Sequence, residues 1–156
     1  MPSRLDMSAR HPTFPFFYDV DYVVGYQGNN LHGDVVLVQF LLKLHYKTII
    51  EKPLGEMICD GKLGPLTHYW LLFFYHDIRS DWVREGKTWN TTEVGNVMSL
   101  RDPRASTSGP GHTMIGQLNA MVRQYEPDIF NNMESHPAVP PQLKHALLQS
   151  HVSVNF

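Results

Sequence analysis

Two glycines and a proline fall within eight residues, Asp60-Gly61-Lys62-Leu63-Gly64-Pro65-Leu66-Thr67, and the apolar run Trp70-Leu71-Leu72-Phe73-Phe74 follows almost at once. That junction constrains the fold more than any other stretch. Gly61 and Gly64 permit backbone angles that other residues resist. Pro65 has a preset φ that suits a turn or the first turn of a helix. Thr67 can place a hydroxyl over the free amides of a beginning helix. The run therefore reads as a tight, ordered loop. It feeds a helix over 66–78 whose Trp70, Leu71, Phe74 and Ile78 share a stripe. The polar residues that follow, among them Arg79, Asp81, Arg84 and Glu85, are expected to face water.

Upstream, Val35, Val38, Leu41, Leu42 and His45 recur at helical spacing, with Leu37 and Phe40 widening the apolar face. Asp34 stands where an N-cap belongs. A helix this apolar calls for contacts on more than one side. Between the two helices, Pro53 and Gly55 predict an irregular connector. Residues 1–15 read as a loose arm. Residues 16–24 read as an extended segment, with Tyr18, Val20, Tyr22 and Val24 on one side and Asp19 and Asp21 on the other. No second strand stands out, so this segment is expected to lie across the helices or pair with another chain. Residues 87–111 are the least regular. Met114, Leu118, Met121, Val122 and Tyr125 share one face of a helix over 113–125. A short turn-like helix over 127–130 follows, and then a last helix over 141–150 with Leu143, Ala146 and Leu147 inward. The expected class is mainly α. The expected divisions are an N-terminal arm and extended segment (1–27), a helical core (28–86), and an irregular loop with C-terminal helices (87–156), packed as one domain.

Two pieces together resemble the peptidoglycan-binding-domain-like family, a small three-helix module. The first is Asp34-Val35-Val36-Leu37-Val38-Gln39-Phe40-Leu41-Leu42. It is similar to the family's opening helix, where a valine or leucine precedes Gln and two apolar residues follow. The second is the loop 60–67 with Trp70, Leu71 and Phe74 behind it, similar to the family's Asp-Gly-x-x-Gly-Pro-x-Thr loop and its helix. Tyr75 stands where that family usually has Gln. The resemblance spans about residues 28–78 and implies a three-helix core, here with added C-terminal helices and an extended N-terminal segment. It also implies a module that recognises cell-wall glycan or peptide. The alternative is a structural or accessory protein of a phage-tail-like or secretion assembly, contacting other subunits through the N-terminal aromatic segment.

Chemistry narrows these readings. The net charge of −2, with no Lys/Arg run, argues against a nucleic-acid partner. No apolar stretch approaches the ~20 residues of a membrane span. Residues 1–12 are polar, so no signal peptide is expected, and the reading is a cytoplasmic chain, with delivery to the periplasm or outside by a signal-independent route as the alternative. The 9 histidines include no His-x-x-x-His pair, and His68 and His76 lie eight apart, so no metal is expected. Cys59, the sole cysteine, reads as a small buried hydrophobe rather than a nucleophile. Asp19 and Asp21 read as solvated edge charges. No enzyme activity, catalytic residue or cofactor is expected. Gly61, Gly64, Pro65 and Thr67 are read as builders of the loop, and Asp60 and Lys62 as its candidate ligand contacts. Trp82 and Trp89, lying in polar surroundings, are candidates to stack on sugar rings.

Overall fold

The computed structural model describes residues 1–7, 14–47, 56–106 and 108–154. The connector carrying Pro53 and Gly55 falls outside them. Helix α1 (His32–His45) is the centre of the molecule. Eleven of its 14 residues are buried, as suits a helix apolar on nearly every side. It packs against α2 (Pro65–Arg84), α3 (Met114–Tyr125), α5 (Pro141–Gln149) and strand β2 (Phe16–Asp19), so the expectation of contacts on several sides holds. A four-residue helix, α4 (Pro127–Phe130), lies between α3 and α5 in the chain. Leu143, Ala146 and Leu147 of α5 are buried as expected.

The mainly α, three-helix expectation is overturned. Alongside five helices the described residues form a three-stranded mixed sheet, making this a small α/β protein. The strand order is β2-β1-β3. Strand β1 (Ser3–Met7) lies in the stretch read as a loose arm, and β3 (His151–Val154) follows α5. β1 pairs antiparallel with β2, Leu5 opposite Phe17, and parallel with β3, Leu5 opposite Val152. The second strand that the extended segment needs is therefore within the chain. Strand β1, Ser-Arg-Leu-Asp-Met, gives a weak signal because it is only five residues long and holds no β-branched or aromatic residue, although Leu5 and Met7 do alternate with Arg4 and Asp6. Those charges are accommodated. The Arg4 guanidinium lies 4.1 Å from the Phe16 ring centre and pairs with Asp6 at 2.9 Å and Glu134 at 3.2 Å.

The outer edge of β2 is closed by a side chain. Tyr18 N–H donates to Asn119 Oδ1 at 2.8 Å, and Asn119 Nδ2 donates back to Tyr18 O at 2.9 Å. A buried carboxamide on α3 thus does the work of a further strand and leaves no open edge there. Phe17, Tyr18 and Asp19 of β2 are buried on both faces of the strand, and Phe16 is half-buried. Asp19 is not an edge charge. It accepts from Ser99 Oγ at 2.6 Å, Leu100 N–H at 2.9 Å and Arg101 Nε at 3.3 Å.

Asp34 is not the N-cap of α1 either. The cap position is Leu31, and Asp34 sits in the first turn, fully buried, accepting from the N–H groups of Asp21 (3.1 Å) and Tyr22 (3.0 Å). It therefore fastens the chain leaving β2 to the start of α1. Helix α3 starts with a side-chain cap, one residue after the start expected for it. Thr113 Oγ1 accepts from Gly116 N–H at 2.9 Å, and buried Glu93 accepts from Met114 N–H at 2.8 Å.

The two loop glycines differ in what they require. Gly61 has φ +73°, and a Cβ there would meet the His32 ring at 2.2 Å. Gly64 has φ −98° and ψ −179°, ordinary extended backbone, with open space around it. Gly61→Ala should therefore cost about 1–3 kcal/mol for the left-handed conformation. Gly64→Ala should stay within about 0.5 kcal/mol of the parent. Urea unfolding of the two variants checks the contrast, and equal midpoints would refute it.

Candidate functional site

The loop 60–67 is organised by a residue on the facing helix. Gln39 of α1 is buried, and its Nε2 lies 3.0 Å from Asp60 Oδ1, 3.1 Å from Lys62 O and 3.0 Å from Thr67 Oγ1. Its Oε1 accepts from Gly61 N–H at 2.9 Å. One carboxamide thus reads out the shape of the whole loop. Asp60 also accepts from Lys62 N–H at 3.0 Å, and these bonds hold its carboxyl below the usual range. Its remaining lone pairs face solvent, but its geometry is already set by the turn. Pro65 is the first residue of α2, as its fixed φ favours. Thr67 does not cap that helix. Gly64 holds the cap position without a side-chain bond, and the buried Thr67 hydroxyl points to Gln39 and the Met57 sulfur at 3.8 Å. The Lys62 side chain is exposed.

The candidate ligand contacts do not form one site. Asp60 and Lys62 precede the N-terminus of α2, whereas Trp82 lies in its last turn. At 1.5 Å per residue the helix separates Pro65 from Trp82 by about 25 Å. The two tryptophans, however, do come together. Helix α2 runs on to Arg84, beyond the expected end near residue 78, and carries Trp82 with it. The following segment returns Trp89 to 6.3 Å from Trp82, ring centre to ring centre, and to 5.7 Å from Tyr75. His112, in a 3₁₀ turn (Pro110–His112), meets Trp82 edge-on at 4.9 Å. His112 Nδ1 accepts from Asn90 N–H at 3.0 Å, which fixes the imidazole and ties the Trp89 segment to the turn.

All four rings are half-buried. Tyr75, Trp82 and Trp89 each pack partly on the core and His112 on Trp82, and partial exposure lets an aromatic ring accept a partner on its free surface. Tyr75 and His112 were not singled out in the sequence. Tyr75 was detectable, because it lies seven residues before Trp82 and so on the same helical face. His112 was not, because only the tertiary path of the 3₁₀ turn brings it in.

A separate cavity of about 400 Å³ opens between α1 and the residues ahead of the loop, with Phe40, Leu44, Met57, Cys59, Trp70 and Ile129 in its walls. Trp70 is buried in the core, as its helical position suggests. Burial pushes the Cys59 thiol up to about 11, so it stays protonated at neutral pH and is a poor nucleophile there. Among the described residues no group of three or more His, Cys, Asp or Glu is placed to hold a metal ion, and His68 faces the Tyr26 ring at 6.2 Å. No described helix is long and apolar enough to cross a membrane. The N-terminal aromatics serve the chain's own core: Phe14 stacks on Phe17 at 4.1 Å and Phe16 on Phe130 at 5.4 Å. The Tyr18 hydroxyl donates to Phe130 O at 2.7 Å. Compared with known proteins, the chain matches no family model, no curated protein and no solved structure.

Proposed function

We propose that the chain is a non-catalytic binding module for the glycan of the bacterial cell wall, and that it binds through the aromatic ledge of Tyr75, Trp82, Trp89 and His112. The convergence of Trp82 and Trp89 from two separate segments carries this reading. A sugar ring presents an apolar C–H face and a polar rim. Half-exposed indoles match that face, and the neighbouring polar groups suit the rim. The interlock of Gln39 with Asp60, Gly61 and Thr67 supports the reading from another side. It joins the two motifs on which the sequence resemblance rests, although neither supplies the contact surface.

The test is co-sedimentation with purified insoluble peptidoglycan. The parent chain should be retained. Trp82→Ala and Trp89→Ala should each weaken retention about tenfold, as loss of a stacked ring worth ~1.4 kcal/mol implies. Circular dichroism controls for folding, because both rings also touch the core. A parent chain left in the supernatant, or a folded double variant retained like the parent, would overturn the proposal.

A further inference from the structure

We propose that the aromatic ledge selects a sugar bearing a carboxylate over a neutral one, and that Arg79 is the residue that makes the choice. This rests on the glycan-binding reading above. Arg79 lies four residues after Tyr75 and three before Trp82 on α2. Residues at those spacings are neighbours on a helix surface, about 5–6 Å apart at Cβ. The Arg79 Cβ therefore lies between those of two ledge residues, Tyr75 and Trp82, within a long side chain's reach of both rings. Together with His76, Ser80, Val83 and Arg84, Arg79 lines a shallow surface depression of about 410 Å³.

The charge around it favours an anion. Arg79 is exposed and makes no ion pair or hydrogen bond among the described residues. The nearby acids are already engaged. Arg84 pairs with Asp81, and Lys87 pairs with Glu85 at 3.0 Å. Asp77, half-buried, is directed to the buried Tyr46 on the core side of the helix. That leaves one uncompensated cation beside a platform of rings, and a planar guanidinium holds a carboxylate with two parallel N–H bonds. A ligand that fills both features is a saccharide whose ring stacks on Trp82 or Trp89 while a carboxylate on a ring substituent reaches Arg79.

Two soluble probes separate the possibilities by calorimetry. One is a neutral oligomer of N-acetylglucosamine. The other is a peptide-free glycan of the same length in which alternate residues carry a lactyl carboxylate. The parent chain should bind the acidic probe about tenfold more tightly, a preference that shrinks at high salt. Arg79→Gln should bring the acidic probe to the neutral probe's affinity and leave the neutral probe unchanged. Since Arg79 is exposed, its thermal midpoint should match the parent's. Equal binding of the two probes, or a preference that survives Arg79→Gln, overturns the selectivity and leaves the glycan-binding reading standing. If neither probe binds, that reading falls and the selectivity falls with it.

Discussion

Replacing Gln39 with leucine should lower stability by about 3 kcal/mol, or roughly 9 °C in thermal midpoint for a chain of this size. The side chain would still fit in volume, so the loss comes from polar groups. Gly61 N–H, itself buried, loses its acceptor. The buried Thr67 hydroxyl and Lys62 O lose the Nε2 donor they share with Asp60 Oδ1, which keeps the Lys62 N–H. Each buried group left without a partner costs about 1–3 kcal/mol, whereas the partially exposed Asp60 and Lys62 recover water. Gln39→Glu discriminates between mechanisms. It keeps an acceptor for Gly61 but removes every donor and sets a carboxylate against Asp60. If donation is the point, Glu should be no better than Leu. If polarity at the position were enough, Glu would rescue most of the loss. A leucine variant melting within 2 °C of the parent would refute the view that this residue organises the loop.

Gln39 also shows which parts of the fold were legible. Helices α1 and α2 and the loop between them depend on short-range signals: a 3.6-residue period, a glycine forced to positive φ, a proline at the first turn. Those signals survive in sequence order. The sheet depends on pairings that do not. Leu5 meets Val152 across almost the whole chain, and nothing near either residue announces the other. The edge of β2 is closed by Asn119, and a buried asparagine in the middle of a helix looks, in sequence, like one more polar residue. Asp34 was misplaced for a related reason. A carboxylate at a helix start is a good cap by type, but the amides it binds belong to Asp21 and Tyr22, brought near by the tertiary fold.

The site divides in the same way. Trp82 and Trp89 stood out because large rings in a polar stretch need a partner. That they lie side by side, with Tyr75 and His112 completing the group, follows from the return of the chain after Arg84. The separation of Asp60 and Lys62 from the ledge followed from helix length, once α2 proved to run to Arg84. A loop can be the most informative stretch for the fold and still stand apart from the proposed binding surface, because its polar groups are spent on its own backbone.

Acidification from pH 8 to pH 5.5 should stabilise the chain by about 1 kcal/mol, some 2–4 °C, against the usual trend for carboxylates. The cause is a pair of buried acids that anchor residues 93–101. Glu93 accepts from Thr91 Oγ1 and from the N–H groups of Met98 and Met114, and burial pushes its carboxyl up to about 7. Asp19, beside Ser99, Leu100 and Arg101, is pushed up to about 6 by burial despite those partners. Asp34 moves the same way, again through burial. With a folded pKa above the unfolded one, the folded state binds the proton more tightly. The associated stability is complete below the unfolded pKa near 4 and is lost as pH rises through 6 and 7.

His45 acts in the opposite sense. Burial among Tyr46, Phe74 and Tyr125 lowers it to about 4, so stability is lost as pH falls below 6.5. Weighing the three at 1.36 kcal/mol per unit, Glu93 contributes about 2 kcal/mol at pH 5.5, Asp19 somewhat under 1, and His45 subtracts between 1 and 2. Glu93 therefore decides the sign. Glu93→Gln removes its titration while keeping its size, and the dependence should then flatten or reverse, with the variant no more stable at pH 5.5 than at pH 8. Urea midpoints at the two pH values measure this directly. If the parent loses stability on acidification, or if Glu93→Gln keeps the parent's rise, then Glu93 titrates near its ordinary value in the folded chain.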